Sequence, residues 1–254
     1  YHLALLPGLL KAARPDLTVA HFWHIPWPSS EVFRTCPWQR EILEGLLAND
    51  VLGFHIRYHC DNFLDAVSRE LEANVDRERS AVTYRGHTTL VRPFPISVDA
   101  EQIAAECAEE DVAREMVRLR EQYHLVGEKI VVGLDRFDYT KGIPERLRAV
   151  DRLLTRYPEW RGRLVFVQAG VPSRSRIPAY RSVWRRIERL VQRINERHGR
   201  RGWAPVVLLP EHLSRTAIHA LYRIADALMV TSLHDGMNLV AKEYVAARTE
   251  GDGA

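Results

Sequence analysis

Three loops in this sequence gather side chains suited to anionic or hydroxyl-rich ligands. The densest is LHDGMNLVAKEYVAA (233–247), which follows an apolar run, ALMVTS (227–232), that reads as a buried strand, and which itself opens a helix-forming run. Gly236 permits a tight turn and lets a ligand come close to the backbone. Met237, Asn238 and Leu239 would then offer backbone N–H groups from the first helical turn. Asp235 would present a carboxylate to sugar hydroxyls. Glu243, further along the helix, is spaced to reach a ribose while the helix start holds phosphate. An Asp-Gly turn that simply caps a core helix is the competing explanation.

The second loop is GLDRFDYTKGIPERL (133–147), where a strand gives way to Arg136, Lys141, Gly142 and a helix opened by Pro144. Two cations beside a helix N-terminus make an anion site, with the arginine fork and the lysine point charge suiting a diphosphate. The alternative is that Arg136 pairs with Asp135 or Asp138. The third loop, QAGVPSRSRIPAY (168–180), carries Arg174 and Arg176 between a strand and a helix, either as a second anion site or as a solvated basic loop. A fourth segment, HFWHIPWPSSEVF (21–33), ends a strand at His24. Its prolines would hold the loop rigidly and orient His24 or its carbonyl toward a cleft, although a lone histidine is more often structural.

The elements that must carry these loops follow from periodicity. Helices are expected at 3–13, 38–50, 58–71, 101–123, 144–157, 179–198 and 214–225, with strands at 17–23, 51–55, 129–134, 163–170, 205–209 and 227–232. AVTYRGHTTLVRPFPI (81–96) has the alternation and Gly-containing turn of a hairpin. The two prolines of VRPFPISVD argue against a central strand there and for a crossover, which sets a domain boundary near residue 98. Beyond it, strands alternate with helices, so the sequence calls for an α/β fold with a parallel sheet covered on its faces. Ligands of such sheets bind at the carboxyl ends of the strands, where the loops above lie.

Composition narrows the function classes. The chain has 254 residues, 46% of them apolar, with 36 basic and 33 acidic side chains for a net charge of +3. This balance demands neither a nucleic-acid nor a membrane partner. The arginine-rich segment 174–201 keeps Tyr180, Val183, Trp184, Ile187, Leu190, Val191 and Ile194 at helical spacing, so its arginines form a solvated face, with no nucleic-acid reader motif beside them. No apolar run reaches the roughly 18 residues of a membrane span. Cys36, Cys60 and Cys107 are too few and too separated for a disulfide framework or a metal site, which points to a reducing, cytoplasmic setting. The chain starts at Tyr1 and stops after Glu-Gly-Asp-Gly-Ala, and it reads as a fragment.

Taken together, HIPWPSSEVF, DRFDYTKGIPERL, VPSRSRIPAY and DGMNLVAKEYVAA occur in the order and approximate spacing of the trehalose-6-phosphate synthases, and YHLALLPGLL resembles a further segment of that family. The chain is similar to these retaining GT-B glycosyltransferases of glycosyltransferase family 20 over essentially its whole length. The resemblance implies two Rossmann-like domains facing a cleft, both incomplete: 1–98 from the acceptor-side domain and 99–254 from the nucleotide-sugar domain. It implies transfer of glucose from UDP-glucose to glucose 6-phosphate with retention, giving trehalose 6-phosphate and UDP.

Residue by residue, it implies that His24 contacts the donor glucose and that Arg136 and Lys141 hold the donor diphosphate. Asp235 binds donor-sugar hydroxyls, Gly236, Met237, Asn238, Leu239 and Val240 line the donor site, Glu243 holds the ribose, and Arg174 binds the acceptor phosphate. No metal and no cofactor beyond the nucleotide-sugar co-substrate are expected, since no Asp-x-Asp pair stands out. A homo-oligomer is compatible with the family. Glycerol 3-phosphate as acceptor, or a non-catalytic regulatory homologue, are the alternatives. His234 stands where many relatives have Arg, Trp27 where many have Phe, and Ser97 where Gly is common.

Overall fold

A computed structural model describes residues 3–125, 127–172 and 176–248, and the chain divides between Ile96 and Ser97 into two units. In the first, α1 (Leu6–Ala13) starts with Pro7 in its first turn, where the missing N–H costs nothing. It is followed by β1 (Ala20–Phe22), α2 (Ser30–Phe33), α3 (Gln39–Leu46), β2 (Val51–Phe54), α4 (Arg57–Glu70), β3 (Asn74–Asp76), β4 (Ala81–Tyr84) and β5 (His87–Pro93). The sheet order is β1-β2-β5-β4-β3, with β1, β2 and β5 parallel and the last three antiparallel. The hairpin expected at 81–96 forms. Its two-residue turn, Arg85-Gly86, has positive φ at both positions (49° and 81°), whose twist matches that of the flanking strands.

One expectation fails here. The segment VRPFPISVD does not leave the sheet at once: Val91, Arg92 and Pro93 complete β5, a central strand. Leu90 donates to Asp50, just before β2, and Phe94 to Phe54 of β2 (2.9 and 2.7 Å), while Val91 donates to Ser80 (2.8 Å). Pro93 shares the side of Val91 but lies past the start of β4, where its missing donor breaks no ladder. The core of this unit is aromatic. Trp27, 1% exposed, has its ring within 4.7–5.0 Å of those of Phe33, Trp23 and Phe63.

The second unit runs α5 (Ala100–Cys107), α6 (Glu110–Gln122), β6 (Lys129–Leu134), a 3-10 turn (Tyr139–Lys141), α7 (Ile143–Arg156), β7 (Leu164–Ala169), α8 (Pro178–His198), β8 (Val206–Leu209), α9 (Arg215–Ile224), β9 (Ala227–Leu228) and α10 (Leu239–Ala247). All its strand pairs are parallel, in the order β8-β7-β6-β9. One face carries Phe166 and Val206 against Ile143, Leu147, Ile187 and Val191 of α7 and α8. The other carries Ile130, Val132, Val165 and Val167 against α5, α6 and α9. The apolar stripe of α8 lies where its spacing put it, with arginines outward.

Two expected elements are cut. The helix at 101–123 breaks at Ala108–Glu109, which lets α5 pack on α9 and α10 while α6 packs on α9. The strand expected at 227–232 keeps only Ala227–Leu228, because Thr231 turns away to meet α7.

That meeting is the main polar event of the fold. Arg146, on the buried stripe of α7, is fully enclosed. Its guanidinium donates to Asp135 Oδ2 (2.7 Å), Gln168 Oε1 (3.0 Å) and Thr231 Oγ1 (2.9 Å). Gln168 in turn donates to the carbonyls of Gly133 and Ala169, both at 3.1 Å. The guanidinium fits because residue 133 is glycine: a Cβ there would overlap Arg146 Nη1.

Two stability outcomes follow. Arg146→Met strands the Asp135 carboxylate without its partner and should lower the unfolding free energy by about 3–5 kcal/mol in urea titrations; a loss below about 1 kcal/mol would contradict the role given to it. Trp27→Ala should cost about 3–5 kcal/mol through the cavity it leaves, read by the same titration, and an unchanged midpoint would contradict the packing described.

Candidate active site

The loop after β6 places four charged groups in sequence, and their partners separate them into two kinds. Asp135 is buried against Arg146. Burial pushes its carboxyl up from the ordinary value while the guanidinium pulls it down. Asp138 caps the 3-10 turn, accepting from Thr140 N and Thr140 Oγ1, both at 3.0 Å. Both acids that could have neutralised Arg136 are therefore engaged elsewhere. Arg136 is exposed and forms no ion pair among the described residues.

Lys141 closes the turn and reaches across to the loop after β9, where its Nζ lies 2.7 Å from Asp235 Oδ2. Ser232 Oγ and Asn238 Nδ2 donate to the same oxygen at 3.2 Å. Burial alone would raise the Asp235 carboxyl; the ammonium and these donors outweigh it and hold the group below its ordinary value. The two loops are also joined by backbone, since Leu233 N donates to Thr140 O (2.7 Å). Gly142, at φ 61°, is the N-cap of α7; a Cβ there would both strain the left-handed backbone and overlap the Thr231 carbonyl.

Asn238 proves to be the N-cap of α10 rather than part of its first turn. Its Oδ1 accepts from Ala241 N (2.9 Å), an N–H further into the helix than the three expected to face a ligand. Leu239 and Val240 open the helix, and Gly236 and Met237 lie just before it, all partly buried.

Arg136 and Glu243 line one cleft of about 290 Å³, with Leu134, Leu213, Ile218 and Val240 among its apolar walls and Glu211 and His212 at its polar side. Glu243 accepts from the hydroxyl of Tyr222 at 2.7 Å. Tyr222 is wholly buried, and burial, reinforced by Glu243, pushes its phenol well above the usual range, so the phenol keeps its proton and donates it. Chemically, the unit offers an unpaired guanidinium, a second cation shared with a carboxylate, and a further carboxylate set among apolar walls. These suit a ligand with phosphate at one end and hydroxyls at the other. Among the described residues there is no group of three or more His, Cys, Asp and Glu arranged to hold a metal.

His24 belongs to the first unit. It is exposed just past β1, its ring 4.8 Å from that of the buried His55, whose Nε2 hydrogen-bonds the His24 carbonyl at 3.0 Å. That carbonyl is thus committed inside the unit, and His24 lines a hollow with Phe22, Pro93, Phe94, Pro95 and Ile96. Arg174 lies outside the described residues. The structure thus brings Lys141, Asp235 and Asn238 into direct contact and sets Arg136, Val240 and Glu243 around one cleft.

Three participants escaped the sequence: Arg146, Thr231 and Tyr222. Arg146 had a signal, because it falls on the apolar stripe Ile143, Leu147, Val150, Leu154, where a charge must find buried partners. Tyr222 looks like any core aromatic of α9.

The chain is 38% identical, over 253 residues, to the UDP-forming alpha,alpha-trehalose-phosphate synthase A of Dictyostelium discoideum, and covers 34% of that protein. It is 42% identical, over 263 residues, to the trehalose-6-phosphate synthase of Mycobacterium leprae, and covers 52% of it; both matches take in all of this chain. The chain therefore spans about a third to a half of these relatives. Among solved structures, an alpha,alpha-trehalose-phosphate synthase (UDP-forming) from Burkholderia xenovorans in complex with glucose-6-phosphate matches with a TM-score of 0.92 and 33% identity, over 97% of this chain and 55% of that one. An E. coli structure described as bound with UDP-2-fluoro glucose matches with a TM-score of 0.91 and 32% identity, over 97% and 54%. The fold is accordingly α/β of the GT-B type. The model of glycosyltransferase family 20 matches residues 1–254, and the chain belongs to that family.

Proposed function

We propose that the full-length protein is a retaining glucosyltransferase that moves glucose from UDP-glucose to glucose 6-phosphate, releasing trehalose 6-phosphate and UDP. The observation that carries this is Arg136. It is a cation at the carboxyl end of a parallel strand, left unpaired by acids that are bound elsewhere, and it shares a cleft with Glu243. The relatives named above are trehalose-phosphate synthases, which supports the same substrates here. In this reading residues 99–254 hold the nucleotide sugar and residues 1–98 form part of the acceptor side.

The chemistry assigns each group one task. Arg136 and Lys141 bind the donor diphosphate, Glu243 the ribose, Asp235 the hydroxyls of the donor glucose, with Gly236, Met237, Asn238, Leu239 and Val240 around them. His24 meets the donor sugar and Arg174 the acceptor phosphate. The Lys141–Asp235 pair keeps two opposite charges neutralised before substrate arrives. When diphosphate takes over Lys141, the carboxylate is released to accept from sugar hydroxyls.

Retention follows if the acceptor hydroxyl attacks from the face of the departing diphosphate, passing its proton to that phosphate as the C–O bond breaks. The protein then supplies orientation and charge stabilisation. Lys141 and Arg136 provide that charge, and we propose catalysis without a metal. Free thiols at Cys36, Cys60 and Cys107 suit a cytoplasmic location, and among the described residues no helix is long and apolar enough to cross a membrane. Any homo-oligomer would be that of the full-length protein.

A product assay on the full-length protein tests the reaction: UDP-glucose with glucose 6-phosphate should yield trehalose 6-phosphate, whose absence, or transfer to glycerol 3-phosphate instead, would sink the assignment. Activity should survive exhaustive treatment with EDTA; a loss reversed by Mg²⁺ would refute metal independence. Because charge on the phosphate grows as the bond breaks, Arg136→Ala should lower kcat by on the order of a hundredfold or more, about 3 kcal/mol. Arg136→Lys should recover part of it, the bidentate fork being lost. A kcat near wild type with weakened UDP binding alone would make the loop a docking site.

A further inference from the structure

Glu243 is a long, flexible side chain at the rim of a cleft, and a carboxylate in that position is useful only if its orientation is fixed. Nothing on its own helix does this. The group that holds it comes from the neighbouring helix α9: Tyr222 Oη donates to Glu243 Oε2 at 2.7 Å. Tyr222 has no exposed surface and its ring packs edge-on to Tyr244, with centroids 6.1 Å apart, so the phenol itself is locked. Among the cleft walls are Ile218 of α9 and Val240 of α10, while Tyr222 sits behind them and does not line the cleft.

From this geometry we infer that Tyr222 is a positioning residue: it anchors one oxygen of Glu243 from inside the core so that the other faces the cleft and accepts from a vicinal diol. This rests on the function proposed above, in which that diol is the ribose of the nucleotide. The hydrogen bond runs one way. A phenol buried this deeply stays protonated and donates to the carboxylate. Rigid support of this kind is what separates an aimed ligand contact from a merely available one.

The consequence is selective. Removing the hydroxyl should weaken only that part of binding which passes through the ribose hydroxyls. By calorimetry on the full-length protein, Tyr222→Phe should weaken UDP binding roughly tenfold, the scale of one hydrogen bond to a charged group, while leaving the affinity for 2′,3′-dideoxyuridine diphosphate unchanged. In a Glu243→Ala background the same substitution should have no further effect.

An equal loss for both ligands, or no loss for UDP, would overturn the positioning role. Failure of the wild type to bind UDP at all would instead overturn the functional proposal and this one with it. A second measurement needs no change at Tyr222. With tyrosine labelled at Cζ, the Tyr222 resonance should move when UDP is added and stay in place with the dideoxy compound; a resonance indifferent to UDP would refute the coupling even if Tyr222→Phe failed to fold.

Discussion

The guanidinium of Arg146 determines where the site-bearing loops of the second unit can go. Its donors end on three segments that are distant in sequence: Asp135 at the end of β6, Gln168 in β7 and Thr231 beyond β9. Arg136 directly follows the first of these, and Asp235 follows the third by four residues. Lys141 and Gly142 lie just before the helix that carries Arg146. One planar, permanently charged group therefore sets the spacing between the unpaired cation and the cation–carboxylate pair.

Burying such a group is expensive, and hydrophobic residues of similar volume would stabilise a core at least as well. What the arginine contributes is geometry. A guanidinium has directed donors, and Asp135, Gln168 and Thr231 each satisfy one of them in place. The same constraint shortens β9 to two residues and demands glycine at 133, where a side chain would displace Arg146 Nη1. It also explains why Arg136 is left uncommitted: Asp135, its neighbour, already belongs to Arg146. The ligand-facing charge exists because the buried charge has taken the nearest acid.

Much of this was legible in the sequence, for identifiable reasons. The alternation of β6 to β9 with their helices, the Arg85-Gly86 hairpin and the apolar stripe of α8 rest on period and turn chemistry, which act locally. Arg136, Lys141 and Asp235 could be singled out because charged residues at strand–helix junctions have few structural duties, and Glu243 by its spacing along the helix that follows. The failures were tertiary. Pro93 completes a central strand because its side of the ladder is vacant at that point. The strand after Ala227 ends early because Thr231 is drawn to Arg146. Tyr222 looks like packing until the partner of its hydroxyl is known. The choice for Arg136 between pairing with its acidic neighbours and facing a ligand depended on where Asp135 and Asp138 point, which no local pattern encodes.

If Arg146 positions the loops jointly, they should loosen jointly. Amide hydrogen exchange of Arg146→Lys, which keeps the charge and loses the fork, tests this directly under conditions where the variant remains folded. The account predicts faster exchange in 135–142 and 231–238 together, with amides of β2, β4 and β5 in the other unit unchanged. Loosening of only one of the two segments, or of neither, would show that the loops are held independently and would contradict it.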